Sequence, residues 1–335
     1  MTPGPVFGVS VRQAESERIL MRNAMQSTIS TAIEIAGHGV HTAAPVTIKL
    51  RPADVNSGIR FLRTGLPGGR ERLIEARHSQ ITPSDLCTIL GDTESGSVST
   101  IEHLMAALYA LEIDNVLVEI DGPEAPIMDG SSAPFIEMID RAGIRKQNGN
   151  RRYIKVLKRL RIAQGERFAE LFPFSQGFRL TVEIKFDAEV IGHQKKTLDL
   201  SPSSFRRELA GARTFGFLRD VEKLRLAGFA HGASLDNTVA IGDDGILNPE
   251  GLRYPDEFVR HKMLDAVGDL SLAGLPILGH YRSYVGGHKL NVSMLTALFS
   301  DRSAYAIVEA GKPVARPVDA AAMAPALAVL SPELN

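Results

Sequence analysis

Hydrophobic and polar residues follow two patterns along the chain. Residues 27–64 and 153–186 contain short segments in which apolar and polar residues alternate, which predicts β-strands. In both halves these strands are followed by segments with apolar residues three and four positions apart, notably at 100–111 and 256–272, which predicts helices. The sequence therefore predicts an α+β fold built from two similar domains.

Polar stretches between the patterned segments predict the domain boundaries. The run at 145–152 is the candidate linker, and a strand–helix–strand excursion at about 212–241 interrupts the second half. The predicted units are a loose N-terminal extension at 1–26, an N-terminal domain at 27–147, a C-terminal domain at 153–312 and a tail at 313–335. The extension is charged and lacks the apolar region of a signal peptide, so we expect no signal peptide there.

The composition narrows the class of protein. With 44% hydrophobic and 23% charged residues among 335, it is that of an ordinary globular protein. A net charge of −1 argues against nucleic-acid binding through bulk electrostatics, and no apolar run is long enough to predict a transmembrane segment. The single cysteine, Cys87, fits a reducing compartment. We therefore expect a cytoplasmic protein, and a monomer because no heptad run indicates a partner chain.

The helix predicted at 256–272 places three polar side chains on one face. His261, Asp265 and Asp269 follow one another at four-residue spacing. The opposite side is apolar and carries Met263, Leu264, Val267 and Leu270. An imidazole and a carboxylate one turn apart can reach a single metal ion. Taken alone, so short a motif is more typical of a surface helix whose His and Asp form a local pair.

The helix predicted at 100–111 begins with residues that allow two interpretations. Ser99 and Glu102 have the spacing of a capping box, in which the role of Glu102 is structural. His103 follows in the first turn of an otherwise apolar helix, where it is either buried in the core or turned toward a cleft. Each half thus has a histidine near the start of a helix, which suits two like domains that meet at a shared ligand site.

Together these residues suggest a metal centre. His103, His261 and Asp265 make a three-ligand set that leaves a fourth tetrahedral position for water, and such a set suits Zn²⁺ and Fe²⁺ alike. A metal ion held this way can activate water for amide hydrolysis, which also needs a base, a proton donor and stabilisation of the intermediate. The candidates for these roles are Glu102, His288 with Asp269, and Thr214. Spacing alone makes a metallohydrolase one hypothesis among several.

Four segments, together with the pair at 287–288, carry a resemblance to a known family. They are STIEHLMAAL at 99–108, PIMDGSSAPF at 126–135, ARTFGF at 212–217 and DEFVRHKMLDAVGDL at 256–270. Over roughly residues 28–310 the chain resembles the UDP-3-O-acyl-N-acetylglucosamine deacetylase family, whose segments occur in the same order. The resemblance implies two α+β domains, each a small sheet layered on helices, with the active site in the cleft between them. It also implies a zinc-dependent deacetylase that removes acetate from a UDP-linked, 3-O-acylated sugar in the committed step of lipid A biosynthesis.

The resemblance implies a role for each matching position. For the reaction, the resemblance implies that zinc is bound by His103, His261 and Asp265 and that the general base is Glu102. It implies that His288, paired with Asp269, is the charged acid that stabilises the intermediate, and that the Thr214 hydroxyl lies near the oxyanion. For the substrate, it implies Phe215 at the sugar, Lys262 at the nucleotide-sugar and the excursion at 212–241 as the acyl passage.

The residues of the excursion suit an acyl chain on physical grounds as well. An apolar wall is supplied by Phe215, Phe217, Leu218, Val221, Leu224 and Phe229, with ordinary core packing as the less favoured alternative for any single member. One position departs from the family, because some relatives have a phosphate-binding lysine where this chain has Val285. We expect Lys289 to point elsewhere, which leaves Lys262 and arginines at unassigned positions to hold the diphosphate.

Two alternatives remain open from the sequence. A metal-dependent amidase acting on another acyl-amino sugar would need the same ligands, base and proton donor. A non-catalytic binding protein, in which the metal only joins the two domains, predicts a closed four-ligand site. Such a protein also predicts no loss of rate from Glu102→Ala.

Overall fold

The structure, a computed structural model, describes residues 24–310. The predicted tail at 313–335 and residues 1–23 of the predicted extension lie outside the described residues. The described chain forms six α-helices and several small sheets, which confirms the predicted α+β fold. None of its helices combines the length and the apolar character that crossing a membrane requires.

Nine strands and two helices make up the first half of the described chain. They are β1 Met25–Ile29, β2 Ile33–His38, β3 Pro45–Pro52, β4 Ile59–Leu66, β5 Arg70–Glu75, β6 Ile81–Thr82, β7 Ile89–Asp92, β8 Gly96–Val98, α1 Glu102–Ala110, β9 Val116–Ile120 and α2 Ala133–Ala142. A five-stranded sheet has the order β2-β3-β9-β4-β5, in which only β4 and β9 run parallel. A smaller antiparallel sheet, β6-β7-β8, leads into α1.

The second half is organised around a seven-stranded sheet. Its elements are β10 Ile144–Asn150, β11 Arg152–Val156, β12 Leu160–Gln164, β13 Arg167–Phe172, β14 Phe178–Lys185, β15 His193–Asp199, α3 Pro202–Glu208, β16 Phe215–Phe217, α4 Leu218–Leu226, β17 Val239–Ile241, α5 Glu257–Ser271, β18 Ile277–Tyr284, α6 His288–Ser300 and β19 Tyr305–Glu309. Strand β18 is central, pairing in parallel with β11 and β14 and antiparallel with β13. The sheet is completed by β12, β15 and β19.

The predicted excursion at 212–241 is present as a compact β16–α4–β17 unit. The two short strands pair in parallel, with Phe215 opposite Val239 and Phe217 opposite Ile241. Helix α4 has no buried residue, so this helix projects from the body of the second half, whereas Val239 and Ile241 of β17 are buried. Such a placement leaves its apolar side chains available to line a cleft.

The interpretation of residues 145–152 as a linker is wrong. Residues 144–150 form strand β10, which pairs antiparallel with β1, and β11 follows at once. The side chains of β10 are polar, which is typical of a linker, but backbone pairing and polar contacts stabilise the segment as one strand of a two-stranded ribbon. Gln147, for example, accepts a hydrogen bond from the Asn115 amide. Residues 25 and 26, assigned to the extension, belong to β1, while the division into two domains stays a prediction.

The close crossing of α1 and α5 depends on Gly268. A Cβ atom at this position would stand 2.1 Å from the carbonyl oxygen of Glu102 and 3.0 Å from its Cα. Only a glycine therefore lets the two helix backbones approach this closely. The contact brings the first turn of α1 beside the polar face of α5.

We expect Gly268→Ala to destabilise the protein by up to about 2 kcal/mol, because overpacking at the crossing costs about 1–3 kcal/mol and is only partly offset by a helix-propensity gain of about 1 kcal/mol. The added methyl group would also displace the backbone of Glu102 at the start of α1. Denaturant unfolding measures the change in stability. A variant with unchanged or higher stability would show that the crossing tolerates a methyl group.

Candidate functional site

A cleft of about 810 Å³ lies between the two helices and the projecting β16–α4–β17 unit. Its wall contains polar residues from α1, α5 and the start of α6, followed by apolar residues of the unit. The predicted site residues that line it are Glu102, His103, Thr214, Phe215, Leu218, Val221, His261, Lys262, Asp265 and His288. Asp269 is fully buried behind His288. The structure thus brings the predicted metal-ligating, catalytic and substrate-binding residues together around one cleft.

The deepest part of the cleft holds three candidate metal ligands. His103 comes from the first turn of α1, and His261 and Asp265 from adjacent turns of α5. The Asp265 Oδ1 atom lies 3.6 Å from His103 Nε2 and 3.3 Å from His261 Nε2, and one ligand atom from each residue lies within 4.8 Å of the others. All three side chains are buried. This is the spacing expected of ligands that share one ion.

The chemistry of these ligands fits a metal ion. Asp265 Oδ1 is buried without a hydrogen-bond partner, which is costly for an anionic oxygen unless an ion satisfies it. His261 Nδ1 lies 3.0 Å from the Ala212 carbonyl oxygen, so Nδ1 donates its proton there and Nε2 keeps a free lone pair. Burial lowers the pKa of His261 to about 3, which keeps it neutral at pH 7. A neutral imidazole is the form that binds metals.

Glu102 lies beside this set, and the capping-box interpretation of it is wrong. Helix α1 begins at Glu102 itself, its N-cap is Ile101, and no side chain caps it. The Glu102 carboxylate instead points inward and accepts a hydrogen bond of 3.1 Å from the Thr88 backbone N–H. Burial raises the pKa of Glu102, which makes its carboxylate a better proton acceptor.

His288, the first residue of α6, forms an ion pair with Asp269. Its Nδ1 atom lies 2.9 Å from Asp269 Oδ2, and its Nε2 atom lies 3.8 Å from Glu102 Oε1. Burial acts to lower the pKa of His288, but the Asp269 carboxylate outweighs it and raises that pKa to about 9. The imidazole is therefore charged at neutral pH, with its Nε2–H facing the ligand set.

Lys262 and Phe215 form the rim of the ligand set. The Lys262 ammonium lies 2.7 Å from Asp265 Oδ2 and 5.6 Å from the centre of the Phe215 ring. Burial acts to lower the pKa of Lys262 and the Asp265 carboxylate raises it, with a net increase. Burial in turn acts to raise the pKa of Asp265, but its interactions with His261 and Lys262 hold that pKa well below its usual range. Both groups are thus charged.

The apolar wall follows the projecting unit. Phe217 and Leu224 line the cleft together with Leu218 and Val221. Phe229 instead packs edge-on against His41, with ring centres 5.3 Å apart. The predicted wall residues that line the cleft thus come from β16 and α4, and other apolar residues such as Leu86, Ile127 and Leu235 line it as well.

The structure also places residues in or beside the site that the sequence did not assign. Arg167 and Lys289 line the same cleft. Lys289, which we expected to point elsewhere, follows His288 at the start of α6, and its ammonium lies 3.8 Å from the Asp85 carboxylate. The Thr88 hydroxyl and the Asn291 amide donate hydrogen bonds to the Asp269 carboxylate. No short motif marks these four residues, since each reaches the site through tertiary packing.

Fold and site together define the class of protein: an α+β chain with a buried His₂Asp cluster, a buried carboxylate and a charged histidine at one end of an apolar cleft. The family model described as UDP-3-O-acyl N-acetylglycosamine deacetylase matches residues 26–300. Proteins named UDP-3-O-acyl-N-acetylglucosamine deacetylase from Brucella ovis, Brucella canis and Brucella melitensis are each 51% identical over 289 residues, which cover 86% of this chain and 100% of each relative. The chain belongs to the UDP-3-O-acyl-N-acetylglucosamine deacetylase family.

Proposed function

We propose that the protein removes the acetyl group from UDP-3-O-acyl-N-acetylglucosamine, the committed step of lipid A biosynthesis. The observation that carries the proposal is the His103–His261–Asp265 cluster at the head of an apolar cleft, in a chain of this family. The cluster suits hydrolysis of an amide, and the cleft suits a substrate with a fatty-acyl chain. We also propose a monomeric enzyme that acts in the cytoplasm.

His103, His261 and Asp265 would hold the metal ion, for which we propose Zn²⁺, while the same ligands suit Fe²⁺. When bound, such an ion supplies Lewis acidity and lowers the pKa of a water molecule. The unpartnered Asp265 Oδ1 and the free Nε2 lone pair of His261 support this ligand set. A three-ligand set leaves room for water, unlike the closed four-ligand site of a purely structural metal.

Two neighbouring side chains, Glu102 and His288, carry out the two proton transfers of the reaction. Glu102, whose pKa is raised, accepts a proton from the attacking water. His288 is charged, and its Nε2 atom lies 3.8 Å from Glu102 Oε1, so its Nε2–H would stabilise the developing oxyanion and then donate its proton to the leaving amine. Asp269 holds the His288 ring through Nδ1. The Thr214 hydroxyl, at the cleft wall, donates to the same oxyanion.

The rest of the cleft would bind the substrate. Phe215 contacts the sugar, and Lys262, Arg167 and Lys289 supply positive charge for the diphosphate. Leu218 and Val221 line the passage for the acyl chain. Because Val285 offers no charge, this chain would rely on Arg167 and Lys289 in addition to Lys262.

The proposal is tested by metal analysis together with acetate release from the UDP-sugar, with and without its 3-O-acyl chain. We expect one metal ion per chain and a kcat/KM that falls when the acyl chain is missing. Equal rates on both substrates would favour an amidase for another acyl-amino sugar. Bound metal without acetate release would favour a metal-stapled binding protein.

The acyl passage can be tested separately with Val221→Trp. We expect the bulky ring to displace about two methylene groups of the acyl chain, which at about 0.8 kcal/mol each raises KM roughly tenfold. The rate on the substrate without an acyl chain should not change. Leu226→Trp is the matched control, because Leu226 lies on the same helix and is 85% exposed. An unchanged KM for Val221→Trp would place the acyl chain elsewhere.

A further inference from the structure

Thr88 contacts three of the residues around the reaction centre. It lies just before β7 and is buried, with 2% of its surface exposed. Its backbone N–H donates to Glu102 Oε2 at 3.1 Å, and its hydroxyl donates to Asp269 Oδ1 at 2.5 Å. The same oxygen lies 3.4 Å from His288 Nδ1. One residue from the first half thus touches side chains from α1, α5 and α6.

The hydroxyl completes the hydrogen bonds of the Asp269 carboxylate. Oδ2 accepts from His288 Nδ1 at 2.9 Å and from the Asn291 amide at 2.8 Å. Among the described residues, Thr88 is the only donor to Oδ1. Without it a buried anionic oxygen would lack a partner, and the carboxylate would gain freedom to rotate away from His288.

The backbone N–H of Thr88 contacts Glu102, the other residue proposed to transfer a proton. It holds Glu102 Oε2, while Glu102 Oε1 faces His288 Nε2 at 3.8 Å. The base and the charged histidine come from different helices, and Thr88 connects both through a single residue. Proton transfer is sensitive to such distances, since a misplacement of 1 Å can cost roughly 100-fold in rate.

We propose that Thr88 is a positioning residue of the reaction, whose hydroxyl orients the Asp269–His288 pair while its backbone N–H holds Glu102. The proposal rests on the proposed deacetylase function for its kinetic consequence. The hydrogen-bond geometry on which it is built stands independently of the substrate. Among the described residues, Thr88 forms no hydrogen bond to a candidate metal ligand.

Thr88→Val and Thr88→Ser separate the hydroxyl from the bulk of the side chain. Val keeps the volume and the backbone N–H but removes the hydroxyl, and Ser keeps the hydroxyl. We expect Thr88→Val to lower kcat by about 10- to 100-fold, the loss expected for a hydrogen bond to a charged group, with KM and metal content near wild type. Thr88→Ser should retain most of the wild-type kcat. If the Val variant fails to fold, Thr88→Ala removes the same hydroxyl without bulk and should show the same loss.

Thr296→Val is the matched control, because Thr296 is exposed and, within residues 24–310, its hydroxyl bonds only to a carbonyl oxygen of α6. It should leave kcat unchanged. A Thr88→Val enzyme with wild-type kcat would overturn the proposal. Equal losses in Thr88→Val and Thr88→Ser would also overturn it, because packing rather than the hydroxyl would then matter.

A readout that needs no activity separates this proposal from the proposed function. The proton between His288 Nδ1 and Asp269 should give a downfield ¹H NMR resonance, which we expect to remain in Thr88→Ser and to shift or broaden in Thr88→Val. An identical resonance in all three proteins would overturn the positioning role. A wild-type protein that releases no acetate would refute the deacetylase function, while the resonance would still test Thr88.

Discussion

Glu102→Gln should lower turnover by about 10²- to 10⁴-fold while the protein keeps its metal, because the variant loses the proton acceptor for water. The change is isosteric, and the amide oxygen can still accept the hydrogen bond from the Thr88 N–H. Neither the ligand set nor the helix start depends on the charge of this residue, since α1 has no side-chain cap. Acetate release, metal content and thermal stability measured on one preparation check all three expectations.

Glu137→Gln provides the control for Glu102→Gln. Glu137 lies on α2 and is exposed, so removal of its charge should change neither turnover nor metal content. Near-normal turnover in Glu102→Gln would show that another group accepts the proton. A large loss of metal in that variant would instead make Glu102 a ligand, a result that the described geometry does not predict.

His261→Ala should lose both metal and turnover, the latter by roughly 10³-fold or more, since two remaining ligands cannot hold the ion that activates water. The substitution would also affect the two remaining ligands. Asp265 would lie 3.6 Å from His103 with no second imidazole, and its Oδ1 atom would remain buried without a partner. Metal content after dialysis, followed by kinetics with added Zn²⁺, measures the effect.

His193→Ala serves as the control for His261→Ala. His193 lies at the surface on β15, where its Nε2 atom is 2.8 Å from a Glu183 oxygen, away from the cleft. It should bind metal as wild type does. A His261→Ala protein that retains one tightly bound ion per chain would remove His261 from the ligand set and with it the proposed centre.

The predictions that held were those that depend on neighbouring residues in the chain. The 3.6-residue period placed His261, Asp265 and Asp269 on one face of α5, and the structure has that helix at Glu257–Ser271. The β16–α4–β17 unit was predicted in outline from its alternating and helical segments. Local propensity and periodicity decide such elements, because they reflect contacts within a few positions.

Other predictions were wrong because packing overrode a local signal. Ser99 and Glu102 have capping-box spacing, yet Glu102 is directed inward by its bond to Thr88. The polar run at 145–152 resembles a linker, yet β10 finds a partner in β1, a strand from the start of the described chain. In both cases a distant segment supplied the deciding contact.

The sequence by itself determined the fold class, the helices that carry the site and, through the family resemblance, the residues to examine. Only the tertiary structure decided that His103 lies within reach of His261 and Asp265, and that Thr88 connects Glu102 with Asp269. These contacts join residues far apart in the chain, across a crossing of α1 and α5 that one glycine permits. Hydrophobic periodicity specifies which face of a helix is buried, whereas the partner of that face is chosen by the packing of the whole core.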